Sequence, residues 1–412
     1  MSLLLALASI AALAPRSEFG VGADYTSQRY ANWIDTLVGD TTDIETEARA
    51  FWTYGLRANS GPARLDAANT LSFSTRSVRD LLTLELERRL GDRWLVRSSA
   101  EAEGRWYHDA FPTLSDTSFR KSYLSTTGRL LARHDFFEWL SADLSDALEY
   151  QLYPDADSFN YDYLLNRAQA SADLRIGTAT GADVSYQWSQ RLAFALPDQN
   201  YADHAFRAGI DGWFEPGWQT GLSADITRRR YSRPDRSYWD LNPGASLGWD
   251  LSSAFAISAS DDVRYTRYDS ISDVYYNQFQ NRLELEFQLR PRTDATLRLS
   301  PQWDRLQGLP TPQADDYSEL SLGASIDFFR PGRVWLSLED RLGIRRYAAG
   351  DSGYQSDYRF NEVSVMANWT VLSLGRSSLT LSGNVSVAPE WHADETDNLS
   401  AVTGSLELKY GF

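Results

Sequence analysis

Apolar and polar residues alternate with a period of two along most of this chain. The clearest stretch, residues 281–289, reads NRLELEFQL, with leucine and phenylalanine on one side and Arg, Glu and Gln on the other. This is the period of a β-strand whose two faces meet different surroundings. Similar segments recur about every 20 residues, the spacing of a strand plus its connection. The pattern predicts an all-β chain of many amphipathic strands.

The connections between these segments alternate in length. Short ones such as 215–217 and 330–332 carry Gly and Pro and are typical of tight hairpins. Longer polar ones, such as 308–316 and 348–357, lie between them. This alternation is expected of an outer-membrane barrel, and it gives about 20 strands, with 18 or 16 as alternatives. One short connection is predicted at His134-Asp135.

The last segment, Leu399–Phe412, ends the chain on an apolar face. The residues of that face are Leu406, Leu408, Tyr410 and Phe412. This ending resembles the C-terminal signature of bacterial outer-membrane β-barrel proteins. The resemblance implies that these four residues form an assembly signal for the barrel-assembly machinery. We also expect the segment to close the barrel against the first strand, near Phe19–Tyr25.

These features predict a fold class: all-β, a closed antiparallel up-and-down transmembrane β-barrel of about 18–20 strands in the bacterial outer membrane. A soluble β-sandwich is the alternative, but such a sandwich has about seven to nine strands. We expect one domain, because a ring must close on itself to satisfy its edges. A lumen, water-filled or plugged, follows because only about eight strands can be filled by their own side chains.

Residues 1–14 are predicted to be a signal peptide, and residues 15–412 the barrel domain. Leu3–Ala14 has the length and the small-residue ending of a signal-peptide core. Pro15 follows directly, and no Lys or Arg precedes the core, so the cleavage position stays open. The alternative is a buried N-terminal helix or a plug segment.

Composition excludes several classes of function. The chain has no Cys, which argues against a disulfide framework and a zinc cluster. Its net charge of −16 disfavours nucleic acid as a partner, because such proteins need a basic surface. The mean hydropathy of −0.43 suits a membrane barrel as well as a soluble protein, since only alternate residues face lipid.

The polar strand faces carry both signs of charge and are predicted to line the lumen. The main candidates are Arg264, Arg282, Glu284, Glu286, Arg298, Glu339, Arg341 and Arg345. Opposite charges on neighbouring strands are expected to pair across the wall. Two interpretations stay open: a solvated, salt-bridged interior with no single ligand, or a conduit whose field is set by these charges.

Aromatic residues cluster toward the segment ends, for example Tyr163, Tyr268, Tyr347 and Trp391. Amphipathic rings are favoured where hydrocarbon meets headgroups, so we expect two lipid-facing girdles. For a minority of these rings, the alternative is stacking of carbohydrate along the lumen.

Catalytic chemistry finds little support. Of the four His residues, those in His108-Asp109 and Asp203-His204 are the candidates for a His oriented by a neighbouring carboxylate. Adjacent strand residues point to opposite faces, so neither pair forms a ready dyad. No pair of His has metal-ligand spacing, and no nucleophile-elbow or phosphate-loop motif occurs. We predict no enzyme, no metal and no cofactor.

The leading functional prediction is a hydrophilic passage or secretion port across the outer membrane. The alternatives are an exporter barrel for surface polysaccharide and a non-conducting anchor of an envelope-spanning complex. The expected partners are outer-membrane lipid, lipopolysaccharide and the assembly machinery. The alternatives add periplasmic export or envelope-complex proteins.

Overall fold

The computed structural model describes residues 13–31, 40–75, 77–107, 121–154, 156, 160–215, 217–272, 274–348, 356–374, 377–393 and 398–411. Over these residues the chain is almost entirely β-strand. Two single-turn 3₁₀ helices, Pro197–Gln199 and Pro234–Arg236, lie in connections. No helix within these ranges is long and apolar enough to span a membrane.

The described residues form twenty strands. In chain order these are β1 Leu13–Ala31, β2 Asp40–Ser60, β3 Ala63–Ser74, β4 Ser77–Leu90, β5 Trp94–Tyr107, β6 Tyr123–Phe137, β7 Leu140–Leu152, β8 Tyr163–Ile176, β9 Thr180–Ala193, β10 Tyr201–Phe214, β11 Trp218–Tyr231, β12 Tyr238–Ser252, β13 Phe255–Tyr268, β14 Asn277–Arg292, β15 Ala295–Leu309, β16 Tyr317–Arg330, β17 Val334–Tyr347, β18 Tyr358–Leu374, β19 Ser377–His392 and β20 Leu399–Gly411.

The twenty strands form one closed antiparallel ring. Each strand pairs with its neighbours in the chain, and β1 pairs with both β2 and β20. Phe19 lies opposite Tyr410 and Tyr25 opposite Gly404 at the closure, which confirms the predicted seam. The predicted fold class, a closed up-and-down barrel, is likewise confirmed.

Large apolar side chains point outward around the ring. Leu144, Leu222 and Leu320 are 63%, 61% and 64% exposed in the isolated chain. Directly opposite residues on neighbouring strands share a face, so these leucines also identify the inward face of each strand. A soluble protein rarely exposes so large an apolar surface, whereas a bilayer covers it with hydrocarbon.

Two outward aspartates, one on β4 and one on β13, are each hydrogen-bonded by an asparagine of the neighbouring strand. Asp80 on β4 accepts a hydrogen bond from the side-chain amide of Asn69 on β3, at 2.7 Å. Asp261 on β13 accepts one from Asn281 on β14, at 2.6 Å. A polar group in hydrocarbon is costly unless it is hydrogen-bonded, so each Asn offsets part of the cost of its Asp.

The connections divide the barrel into two ends. At the end we call the turn end, strands join through tight turns, and Gly91 in the β4–β5 turn has a φ of 66° that favours glycine. At the other end, here called the loop end, most connections are longer and polar. In this class of barrel the turns lie on the periplasmic side of the membrane and the loops lie on the outside of the cell.

Some predicted boundaries differ from the observed ones. The turn predicted at His134-Asp135 lies instead at residues 138–139, because both residues continue the β6 ladder. His134 points outward between Trp94 and Phe136, which extends the apolar face. β1 begins at Leu13, inside the predicted leader; residues 1–12 and Phe412 lie outside the described residues, so the leader and the terminal aromatic stay predictions.

Cysteine cross-linking across the seam tests the observed register. Val21 and Leu408 lie directly opposite each other on β1 and β20. Opposite Cα atoms are about 4.5–5.5 Å apart, within the range a disulfide spans. In this cysteine-free chain, V21C/L408C should therefore form an internal disulfide that alters migration on a non-reducing gel.

The matched control is V21C/V402C, because Val402 lies on the same strand and face but opposite Ser27. It should not cross-link. Equal cross-linking of both pairs, or cross-linking of the control alone, would contradict the observed register.

Candidate functional site: the lumen wall and its tyrosine collar

The lumen wall is lined by charged side chains. All eight candidates from the sequence point inward: Arg264, Arg282, Glu284, Glu286, Arg298, Glu339, Arg341 and Arg345. Their lumen-facing position is a structural observation, whereas their role in conduction stays a prediction.

Many of these charges pair across the wall, as expected from alternating strands. Arg264 on β13 lies 3.0 Å from the carboxylate of Asp240 on β12. Arg298 on β15 pairs with Asp327 on β16. Within the described ranges, Glu286 and Glu339 have no ion-pair partner and remain open to the lumen.

The tightest cluster is centred on Glu319 of β16, whose side chain is 2% exposed. One carboxylate oxygen accepts from Nη2 of Arg341 at 2.6 Å, and the other accepts from Nε and Nη2 of Arg345 at 2.8 and 2.6 Å. Two arginines on one buried carboxylate satisfy it fully, and the Arg345 guanidinium also lies 4.2 Å from the Tyr317 ring centroid. The cluster joins β16 to β17 beneath the loop end.

Tyrosines form a collar around the inner wall at the loop end. Among the described residues, the tyrosine collar consists of Tyr107, Tyr123, Tyr163, Tyr201, Tyr231, Tyr238, Tyr268, Tyr317, Tyr347 and Tyr358. Each lies at the loop end of its strand on the inward face. Several contact one another across strands, with ring centroids 5.7 Å apart for Tyr201 and Tyr231 and 5.6 Å for Tyr238 and Tyr268.

Arginines lie between the collar rings. Arg229 on β11 binds Asp203 on β10 through two hydrogen bonds of 2.7 Å. Its guanidinium lies 4.3 Å from the Tyr201 ring centroid and 5.8 Å from that of Tyr238. Because the carboxylate neutralises the arginine, this part of the collar offers aromatic faces and hydrogen-bonding groups rather than a net charge.

A side-chain hydrogen bond, here called a clasp, spans eight of the loops described. In each, the chain reaches the loop end on one strand and leaves it on the next. A Ser, Asp or Asn side chain at the start of the second strand accepts a hydrogen bond from a backbone N–H at the end of the first, at 2.5–3.1 Å. The pairs, acceptor first, are Ser122–Tyr107, Asp162–Tyr153, Asn200–Ala193, Ser237–Tyr231, Asn277–Tyr268, Asp316–Gly308, Asp357–Tyr347 and Asn398–His392. The clasp satisfies a donor that the ladder leaves unpaired at the strand end.

The sequence carries a signal for the collar that the strand pattern alone does not reveal. In six of the described loops the clasp residue is followed directly by an inward tyrosine, as in Asn200-Tyr201 and Asp316-Tyr317. In three of these a carboxylate follows two residues later: Asp203, Asp240 and Glu319. The prediction that Tyr163, Tyr268 and Tyr347 belong to lipid-facing girdles was wrong, because all three point into the lumen.

Tryptophan accounts for much of the outward aromatic surface instead. Trp218 and Trp249 stack at the turn end with ring centroids 4.8 Å apart, and Trp391 is 51% exposed at the loop end. Both ends of the outward surface therefore carry amphipathic rings at the levels where a membrane has its headgroups.

The loops also contact one another. Tyr276, in the β13–β14 loop, donates its hydroxyl to Asp315 in the β15–β16 loop. Burial, followed by this hydrogen bond to the carboxylate, raises the pKa of Tyr276. The phenol therefore stays protonated and remains a donor at neutral pH.

One hydrogen-bond chain has the composition of a hydrolytic triad. Ser356 Oγ lies 2.8 Å from His392 Nδ1, and His392 Nε2 lies 3.3 Å from Glu390. A search for His next to a carboxylate in the sequence does not find this chain, because Glu390 and His392 are two residues apart on one strand face. Ser356 is only 5% exposed, so its hydroxyl is not presented to a substrate. The chain instead ties the β17–β18 loop to β19.

The side chains of Asp203 and His204 point to opposite faces of β10, as expected of adjacent strand residues. Asp203 points inward to Arg229, while the outward His204 is 2.7 Å from the Tyr186 hydroxyl. Among the described residues, no group of three or more His, Cys, Asp and Glu is arranged to hold a metal ion. His108 and Asp109 lie outside the described residues.

Comparison with known proteins identifies the fold. No protein-family model matches the chain, and no curated protein matches it either. Among solved structures it is similar to the alcaligin outer-membrane receptor FauA of Bordetella pertussis, at 13% identity and a TM-score of 0.56, over 95% of this chain and 76% of that one.

Two further structures are similar. The FrpB iron transporter of Neisseria meningitidis (F3-3 variant) has 11% identity and a TM-score of 0.59, over 95% of this chain and 81% of that one. OccAB4 of Acinetobacter baumannii has 11% identity and a TM-score of 0.51, over 97% and 98%. The chain therefore has the fold of integral outer-membrane β-barrels.

Removing the charge of Glu319 tests the cluster beneath the collar. Among the described residues, Glu319→Gln leaves Arg345 without a counter-charge and leaves Arg341 with Glu362 alone, 3.4 Å away. Breaking a fully buried pair costs about 3–5 kcal/mol. Because the two arginines are 35% and 27% exposed, we expect a smaller loss in the free energy of unfolding, about 2 kcal/mol. Urea unfolding in lipid vesicles, followed by tryptophan fluorescence, measures it.

The control is Glu339→Gln, which removes an exposed lumen carboxylate from β17 and should change stability by less than about 0.5 kcal/mol. Equal losses in the two variants would mean that the cluster does not stabilise the wall.

Proposed function

We propose that this outer-membrane β-barrel forms a hydrophilic passage across the membrane. The observation that carries the proposal is the size of a ring whose inward face is charged. Only about eight strands can be filled by their own side chains, so a ring of twenty encloses space beyond its wall. The ion pairs of the wall, and the carboxylates of Glu286 and Glu339 that face the lumen without an ion-pair partner among the described residues, favour water in that space. The similar structures, described as an iron transporter and outer-membrane receptors, support transport as the class of function.

The tyrosine collar favours saccharides as the solute class. Tyr rings have apolar faces that suit the C–H faces of sugars, and hydroxyls that bond to sugar hydroxyls. Asp203, Asp240 and Glu319 are each paired with an arginine, so these carboxylates give the collar little free negative charge with which to select a cation. Stacking and hydrogen bonding are therefore the means by which the collar discriminates among solutes.

The collar also favours a second candidate, an exporter barrel for surface polysaccharide that works with periplasmic partners. A ring of tyrosines can guide a sugar chain in either direction. Deletion of the gene separates the two candidates: loss of surface polysaccharide supports the exporter, whereas an unchanged surface with slower sugar uptake supports inward passage.

Catalysis has no part in this proposal. The buried Ser356 and the opposite orientations of Asp203 and His204 support a non-enzymatic barrel. A hydrolase assay with ester and glycoside substrates should detect no turnover above buffer.

Conductance tests the passage, and saccharide block tests the collar. In planar bilayers the purified barrel should give stepwise ion currents that maltooligosaccharides reduce. Tyr201→Ala/Tyr238→Ala should raise the half-blocking concentration about fivefold or more, the factor for about 1 kcal/mol of lost aromatic contact.

The matched control is Tyr186→Ala/Tyr265→Ala, which removes two tyrosines from the outward face and should leave block unchanged. A barrel without conductance would refute the passage. Normal conductance with no block in the wild type would refute only the saccharide assignment.

A further inference from the structure

Among the side chains that the structure describes, arginines on the outward face of the loop end lie on one side of the barrel. They lie on β11, β13, β15, β17 and β18: Arg228, Arg230, Arg267, Arg305, Arg346 and Arg359. The outermost outward positions of β3 to β9, as far as the structure describes them, carry no basic residue. Those positions are Phe73, Val78, Trp106, Leu124, Leu152, Leu164 and Leu192. Aromatic and aliphatic residues suffice for an outer rim, so the arginines need a separate explanation.

The three arginines on β11 and β13 surround one carboxylate. Arg228 binds Asp269 through two hydrogen bonds and lies over the Trp239 ring, 5.3 Å from its centroid. The hydrogen bond from Arg228, with the nearby charges of Arg230 and Arg267, lowers the pKa of Asp269. Asp269 is therefore ionised at neutral pH and offsets one of the three positive charges.

The three arginines on β15, β17 and β18 have no such counter-charge. Arg305 and Arg346 both lie opposite Ser318, so one strand separates them and their Cα atoms are about 10 Å apart. Arg359 lies opposite Ile344, two residues from Arg346 on the same face. All three are exposed, and within the described ranges none has a carboxylate oxygen within 4 Å. Guanidinium groups on long side chains spaced in this way can converge on one anion.

An apolar groove lies beside these arginines on the outward surface. It has a volume of 690 Å³, and its lining includes Leu320, Leu322, Leu342 and Ile344. Arg359 and Trp391 also line it and lie at its loop end. The groove therefore has an apolar floor below and a cation and an amphipathic ring at the level of the membrane surface.

We propose that the outward surface of β15 to β18 binds a phosphorylated glycolipid of the outer leaflet, of the lipid A type. The phosphate lies among Arg305, Arg346 and Arg359, and an acyl chain occupies the groove between Leu320 and Leu342. Arginine forks match phosphate oxygens, and the arginines face outward at the outer rim, where a lipid headgroup can reach them and a lumen solute cannot. The site is independent of any passage through the lumen.

Lipid binding by charge-loss variants tests the site. Native mass spectrometry of the purified full-length barrel in detergent measures the binding of lipid A and of dephosphorylated lipid A. R305Q/R346Q/R359Q should bind lipid A at least about tenfold more weakly, because one lost charge-assisted hydrogen bond already gives about that factor. Dephosphorylated lipid A should bind wild type and variant equally weakly.

The matched control is R290Q/R330Q/R333Q, which removes three arginines at the turn end and should retain lipid A within about twofold. Leu342→Trp fills the groove without changing charge and should weaken binding of the acylated lipid. Migration of unheated and heated samples on gels checks folding; if the triple variant does not fold, the single variant Arg359→Gln takes its place.

Three results would overturn the proposal. Equal loss in the triple variant and its control would indicate a general effect of charge. Equal binding of lipid A and dephosphorylated lipid A by the wild type would exclude phosphate recognition. Complete displacement of lipid A by inorganic phosphate would identify an anion site without the glycolipid.

Discussion

Closure of the hydrogen-bonded ring is the constraint on which the rest of this structure depends. In hydrocarbon no water is present to satisfy an unpaired backbone group, so every strand needs a neighbour on both sides. The pairing of β1 with β20 supplies the last of these and leaves no free edge. Once the ring is closed, each strand has one face toward lipid and one toward the lumen. The period of two along the chain follows from that division.

The same geometry determines how charge can be used. An inward arginine on one strand lies within reach of a carboxylate on the next, so the wall satisfies its charges laterally, as Arg264 and Asp240 do. At the collar, Asp203, Asp240 and Glu319 are paired with arginines in the same way, and the tyrosines offer a solute aromatic faces and hydrogen-bonding groups. Among the described residues, Arg305, Arg346 and Arg359 on the outward face have no carboxylate oxygen within 4 Å, so this surface favours an anion from outside the protein.

The sequence predicted the strands, the closure and the lumen-facing charges because alternation and chain order determine them locally. The orientation of the aromatics was predicted less well. Proximity to a strand end favours aromatic residues on both faces, and only the phase of the alternation separates Tyr163 from Trp391. The β6–β7 turn was misplaced because His134 is polar by type yet packs outward between aromatic rings. The contact of Ser356 with His392 joins residues 36 apart, which alternation cannot pair.

The clasps hold the strand ends in the same geometry whatever the length of the loop between them. The same hydrogen bond joins residues 15 apart at Tyr107 and Ser122 and only 6 apart at Tyr231 and Ser237. The chain between two clasp partners can therefore change in length and sequence while the strand ends keep their geometry. A bacterium exposed to antibodies or phages can in this way alter the epitopes that the barrel displays at the cell surface and keep the barrel beneath them unchanged.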